Sequence, residues 1–265
     1  MRESMRNILP VALLAAALAV PVASASAAET KPVIAQKSKS AEIEVTIDPA
    51  LKAYPGLYEN LLAEGQRDAA KWRKDADQSL REEPQMFKDR RRNTYDRSYK
   101  QRSVVGHYVA ILRDDGSYAG GAHPNSYTDT ILWDTTARKR VSIRPFFKET
   151  ADNGPTMTTM AKLVRAAACA AKEKRGAGCD SPADVSGIES KLLGIGPVTP
   201  APSTEAGKSS GLTFHFSPYG LGSYAEGSYT LFVPWTDFKD DLSPEGAALF
   251  GGTRPQSDVA AFDEP

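Results

Sequence analysis

The residues on which most catalysis is built are scarce in this sequence. Its 265 residues include three histidines, His107, His123 and His215, and two cysteines, Cys169 and Cys179. No His-Glu-x-x-His or His-x-x-x-His run occurs, which excludes the helical two-histidine zinc signatures. Two histidines without a third ligand and an open position do not make a metal site, so neither a metal nor another cofactor is expected. Gly120-Gly121 has neither the lysine nor the strand-to-helix setting of a phosphate-binding loop. No charge of one sign dominates either: 33 basic residues face 33 acidic ones, which gives no general attraction to nucleic acid or an anionic membrane. The basic run Lys88 to Arg97 reads as a solvated connection between a helix and a strand rather than a polyanion site.

Long apolar runs are confined to the start. Arg2 and Arg6 precede an apolar stretch from Ile8 to Val22, and Ala-Ser-Ala occurs at 23–25 and 25–27. These are the parts of a secretory signal, so residues 1–27 are read as a signal peptide and the mature chain is expected to begin near Ala28. An uncleaved anchor is the alternative, since Ile8 to Ala28 is long enough to cross a bilayer. Pro10, Pro21 and the small-residue exit favour cleavage. No stable transmembrane segment then remains, and the expected location is periplasmic or secreted. Loss of Arg2, Arg6 and Glu3 leaves 31 basic and 32 acidic residues.

Export places Cys169 and Cys179 where thiols are normally oxidised, and each has one possible partner. A disulfide is expected, closing a loop of about ten residues with a chain-entropy worth of about 3 kcal/mol. The spacing is not Cys-x-x-Cys and no histidine lies nearby, which argues against a redox or metal pair.

The period of the apolar residues organises the rest. Residues 28–40 show no period and read as a flexible lead-in. Ile43, Val45 and Ile47 alternate with polar neighbours, as in a half-buried strand. Tyr58, Leu62, Ala69, Trp72, Ala76 and Leu80 then recur at helical steps, with Gly65 in the missing turn, predicting a long amphipathic helix that ends before Pro84. Strand signals fill Tyr95 to Arg144, with turns expected at Asp114-Asp115-Gly116 and Thr135 to Lys139. A second helix is predicted from Pro155 through Met157, Met160, Val164, Ala167 and Ala171, stopped by Gly176 and Gly178 and tied down by the disulfide. Gly196 to Gly211 resembles a linker. Leu212, Phe214 and Phe216 share one strand face, leaving His215 on an exposed one, and Tyr229, Leu231 and Val233 mark a last strand. Thr236 to Leu242 reads as a short capped helix, and 251–265 as a disordered tail. The expected fold is a single α+β domain over 41–250, built on a mainly antiparallel sheet with one long N-terminal helix and a second, disulfide-tied helix.

His123 is the residue most open to a chemical reading. Consecutive glycines before it permit positive φ, and Pro124 after it forces an extended conformation, so Gly120-Gly121-Ala122-His123-Pro124 shapes a bend. A hairpin turning at Asp114 to Gly116 with a three-residue loop sets His107 opposite His123. A two-residue loop pairs His123 with Tyr108 instead, and both registers are open.

Two stretches together resemble a domain of unknown function found outside the cell. "YAGGAHPNSYTDTILWDTTARKRVSIRPFF" is similar to its Gly-Gly-Ala-His segment, through Gly120, Gly121, Ala122 and His123. "GLTFHFSPYGLGSYAEGSYTLFVPWTDF" is similar to its closing signature, through Phe216, Pro218, Tyr219, Tyr224, Ala225, Gly227 and Pro234, with Trp235 where tyrosine is more usual. That domain forms the extracellular part of RsiV-type anti-sigma factors and accompanies the catalytic domain of PdaC-type peptidoglycan deacetylases. The departures bear on function. The seven residues before the apolar run are expected to leave no room for a sigma-binding segment, and the paired histidines of the deacetylase domain are missing, although "RDDG" at 113–116 is superficially similar to its acidic motif.

The resemblance implies an exported accessory domain that binds rather than catalyses, with a lysozyme-like protein or a peptidoglycan fragment as partner. Its candidate face combines Gly120, Gly121, Ala122 and His123 with Pro218, Tyr219, Tyr224, Glu226 and Gly227, the tyrosines being able to stack on sugar rings or protein side chains. One alternative is an enzyme on envelope polymers that uses His123 with Glu226 or Asp129 as general acid and base. Another is a purely structural envelope protein.

Overall fold

Alternation and helical period lay out thirteen elements in the computed structural model, which describes residues 31–262. The expected signal peptide lies outside them. In chain order these are β1 (Ile34–Lys37), β2 (Ala41–Ile47), α1 (Pro55–Glu82), β3 (Asn93–Val105), β4 (Tyr108–Tyr118), β5 (Asn125–Asp134) and β6 (Lys139–Val141). There follow α2 (Pro155–Lys174), β7 (Val198–Pro200), β8 (Gly211–Phe216), β9 (Tyr229–Pro234), α3 (Pro244–Leu249) and α4 (Gln256–Phe262).

The first six strands form one sheet in sequence order, antiparallel except where β2 runs parallel to β3. Parallel neighbours cannot be joined by a tight turn, so the chain crosses over through α1. Pro55 sits at the helix start, where its missing N–H costs nothing, and Pro84 follows the end. The buried face of α1 is Leu57, Leu61, Gly65, Ala69 and Ala76, packed on Ile43, Val45, Ile47, Val109, Ile111 and Ile131. The core residues of its first two turns are thus Leu57 and Leu61, each one position before the predicted Tyr58 and Leu62. Gly65 marks the closest approach of helix to sheet, since a Cβ there would stand 3.0 Å from Val45 Cγ1.

The first half of β4, Tyr108 to Leu112, is buried on both faces. Val109 and Ile111 face α1, while Tyr108 and Ala110 join a second core with Leu132, Phe146, Leu212, Phe214, Leu231 and Val233. This second core belongs to a three-stranded antiparallel sheet, β7-β8-β9, and to α2, whose Met157, Met160, Ala161, Val164 and Ala168 are buried against it. The fold is therefore α+β with predominantly antiparallel sheets, and Cys169 in α2 is bonded to Cys179 just beyond it. Among the described residues, no helix is long and apolar enough to cross a membrane.

Several sequence expectations are corrected. Asp114-Asp115-Gly116 is not a turn: it lies within β4, paired to β3 on one side and β5 on the other. Its carboxylates find partners inside the sheet, Asp115 with Arg97 at 2.5 and 2.8 Å and Asp114 with the Thr128 hydroxyl at 2.9 Å. The expected turn lies further on, at residues 119–124 between β4 and β5, and the chain also folds back earlier, at Gly106-His107 between β3 and β4, with Gly106 at φ +56°. The basic run also contains a core residue, because Arg97 is buried. Part of the lead-in is a strand, β1, and part of the linker-like stretch is a strand, β7. The C-terminal stretch expected to be disordered holds α4, whose Asp258 is buried against Arg102 and Arg254. His215 is only 3% exposed, because α4 covers the face of β8 that alternation alone leaves to solvent.

Candidate functional site

The β4–β5 connection, residues 119–124, meets the loop that follows β8. Gly120 and Gly121 adopt φ +95° and +110°, conformations that only glycine takes without strain. Tyr118 donates its hydroxyl to the Gly121 carbonyl at 3.0 Å, closing the bend. His123 then stacks on Tyr224, ring centroids 3.8 Å apart and 19° from parallel. The two loops are tied by polar contacts as well, with the Tyr224 hydroxyl donating to the Pro124 carbonyl at 3.1 Å.

The imidazole is held in one tautomer. Nδ1 lies 2.9 Å from the Pro124 carbonyl oxygen, which can only accept, so Nδ1 carries the proton. Nε2 is left to accept from the Tyr219 hydroxyl at 3.3 Å. Tyr219 completes the trio, its ring 5.6 Å from that of Tyr224 and 65% of the residue exposed. Its backbone sits at φ +70°, a region that disfavours a side chain carrying a Cβ. A large ring on a strained backbone at an exposed loop tip is held there by the loop, not by burial.

The carboxylates proposed as catalytic partners are committed elsewhere. Glu226 accepts from Lys172 Nζ at 2.6 Å, the Ser223 amide at 2.8 Å and the Tyr229 hydroxyl at 2.8 Å. These bonds, the lysine first, hold its carboxyl down at about 2. Asp129 accepts from Arg113 at 2.8 Å. His107 lies at the far end of β4, about 33 Å away at the rise of a strand, so the two histidines never meet. Of the predicted site residues, Gly120, Gly121, His123, Tyr219 and Tyr224 come together. Glu226 and Gly227 (φ +74°) shape the loop beneath them, and Pro218 precedes the strained Tyr219.

Beside the trio lies a cleft of about 330 Å³, lined by Lys172, Asp184, Ser186, Gly187, Tyr219, Gly220, Gly222 and Glu226 among others. Sequence reasoning missed it, although Lys172 continues the buried stripe Val164-Ala168 of α2 at a four-residue step and so stands out as a charge at a core position. A second overlooked run, Gly207-Lys208-Ser209-Ser210-Gly211, has the Gly-x-Ser-x-Gly form of a nucleophile elbow. The structure gives it a different job. Ser209 is buried, its hydroxyl donates to the carbonyls of Ala201 and Gly211, and the run leads into strand β8 rather than a helix. Among the described residues, no group of three or more His, Cys, Asp or Glu side chains could hold a metal ion.

Two solved structures share this fold. A DUF3298 family protein from Pseudomonas aeruginosa PAO1 is 14% identical, with 84% of this chain and 93% of that one covered at a TM-score of 0.50. A member of the same family from Bacteroides fragilis NCTC 9343 is also 14% identical, with 80% and 89% covered at a TM-score of 0.50. At that identity the likeness is one of fold. No protein-family model and no curated protein matches the sequence.

Proposed function

We propose that this chain is a non-enzymatic recognition domain exported to the cell envelope, and that it engages its partner through His123, Tyr219 and Tyr224. The observation that carries the reading is the meeting of two loops, 96 residues apart in sequence, that hold the exposed Tyr219 ring beside the half-buried His123 and Tyr224 rings on strained and glycine-dependent backbone. Aromatic rings supply large contact area with few rotatable bonds, which is what recognition surfaces use. A general acid–base pair is disfavoured here, because Glu226 and Asp129 already serve Lys172 and Arg113. The Cys169–Cys179 bond fits a periplasmic or secreted location. Candidate partners are a lysozyme-like protein and peptidoglycan fragments, in line with the resemblance to RsiV-type and PdaC-type domains. Nucleic acid is not among them, given the balanced charge.

The test is calorimetric titration of residues 28–265 with lysozyme and, separately, with solubilised peptidoglycan fragments, while mass spectrometry follows the fragments. Saturable binding without new masses is expected, and Tyr219→Ala and Tyr224→Ala should abolish it with the fold retained. New fragment masses that vanish in His123→Ala would overturn the reading in favour of an enzyme.

A further inference from the structure

We propose that the cleft beside Tyr219 is a subsite for a single neutral sugar ring, which makes a glycan the ligand of the aromatic face; this rests on the recognition reading above. The cleft runs between the Asp184–Gly187 segment and the Tyr219–Gly222 loop, with Lys172 and Glu226 at its base, and its wall is nearly all polar. Its volume of about 330 Å³ is at the small end of ligand sites, about 300–1,000 Å³, and suits one ring rather than an extended chain. An apolar ligand would leave these polar groups unpaired, at a cost.

The charge of the lining selects further. Lys172 is buried, yet its ammonium is spoken for by the Leu221 carbonyl at 2.9 Å and by Glu226 at 2.6 Å. With Lys172 and Glu226 neutralising each other, Asp184 leaves the cleft one negative charge. An anion such as phosphate is therefore repelled. Asp184 accepts the Ser181 amide through Oδ2 at 2.8 Å, which leaves Oδ1 to accept from a ligand hydroxyl. The Ser186 hydroxyl, exposed on the same wall, can donate or accept.

Glycine is required at two points of the wall. A Cβ on Gly187 would stand 2.6 Å from the Gly220 carbonyl oxygen, and one on Gly222 would collide with the Glu226 carboxylate. At these two positions the loops approach closely because neither glycine carries a side chain. Tyr219 belongs to both the cleft and the aromatic trio. A pyranose can thus present its apolar C–H face to the tyrosine while its hydroxyls reach Asp184 and Ser186, with the next sugar of the chain lying over His123 and Tyr224.

The experiment titrates oligomers of N-acetylglucosamine and, separately, lysozyme into the wild type and into Ser186→Trp, Asp184→Asn and Tyr224→Ala, with circular dichroism checking each fold. Ser186 is exposed, so the tryptophan fills the cleft without entering the core. Saccharide binding weakened at least tenfold by Ser186→Trp, by Asp184→Asn and by Tyr224→Ala would support the subsite. Saccharide binding lost in Tyr224→Ala but unchanged in both cleft variants would overturn it and leave the aromatic face standing. Tyrosine-dependent binding of lysozyme with no binding of saccharide would overturn it in the same way. Saccharide binding lost in both cleft variants but unchanged in Tyr224→Ala would overturn the proposal in a different way, because the glycan would then not be the ligand of the aromatic face. Failure of both ligands would overturn both.

Discussion

Tyr219 costs the fold something by standing where it does. A left-handed backbone disfavours an L-residue by about 1–2 kcal/mol, and glycine relieves this while losing about 0.5–1 kcal/mol of its own on folding. Tyr219→Gly is therefore expected to change stability by no more than about 1 kcal/mol in urea denaturation while abolishing partner binding. A loss of several kcal/mol would instead make the ring a packing residue. Gly196 makes the opposite case. It sits at φ +110° with Phe216 Cζ only 2.6 Å from where a Cβ would be. Gly196→Ala should cost about 2–3 kcal/mol, read as a lower denaturation midpoint with an unchanged slope.

The disulfide joins α2 to the loop that leads towards the cleft. Its contribution can be read from loop length, since ten residues separate Cys169 from Cys179. The Cys169→Ser/Cys179→Ser double variant is expected to lose about 2–3 kcal/mol. Because Asp184 and Ser186 follow shortly after Cys179, this variant should also weaken any ligand held by the cleft. Thermal denaturation with and without reductant checks the first effect, and titration the second. The β4 hairpins carry a lesson about element prediction. Asp-Asp-Gly is a strong turn signal by composition, yet Arg97 and Thr128 satisfy the two carboxylates within the sheet, and the chain turns only after Tyr118, at Gly120-Gly121.

At the level of the whole molecule, α4 closes the face of β8. Arg102 and Asp258 are paired in the interior, Arg254 adds a second bond to the same carboxylate, and Arg102 lies 4.3 Å from the Phe262 ring centroid. Burial opposes the ionisation of Asp258, but its arginine partners outweigh it and hold the carboxyl below the usual range. Asp258→Ala would take the carboxylate from two buried guanidiniums, those of Arg102 and Arg254, and should cost about 3–5 kcal/mol, part of it regained in Arg102→Met/Asp258→Ala; denaturation of the three proteins is the check. The same closure governs pH response. Burial, aided by the charge of Arg102, pushes His215 down to about 3. In the unfolded chain it takes a proton near its ordinary value of 6.5, so the folded form keeps the full benefit above that value. Stability falls as pH drops from about 6.5 towards 3, by about 1.4 kcal/mol per unit at most. Between pH 7 and 5 the wild type should therefore lose about 2 kcal/mol more than His215→Gln, and equal losses would refute the assignment.

Local periodicity determined much of this protein. The strand at Ile43 to Ile47, the helices from Pro55 and Pro155, the turn after Asp134 and the pairing of Cys169 with Cys179 are all legible in short windows, because each follows from the spacing of apolar residues or from having one partner available. The resemblance also singled out His123, Tyr219 and Tyr224 as residues of one candidate face. Only tertiary structure decided which of them touch, because the contacts span 96 and 101 positions and depend on how two loops approach. It also decided that His215 is buried, that Glu226 is bound to Lys172 and that α4 is folded. Sequence period reports which face of an element is apolar, but whether the other face meets solvent depends on what the rest of the chain lays over it.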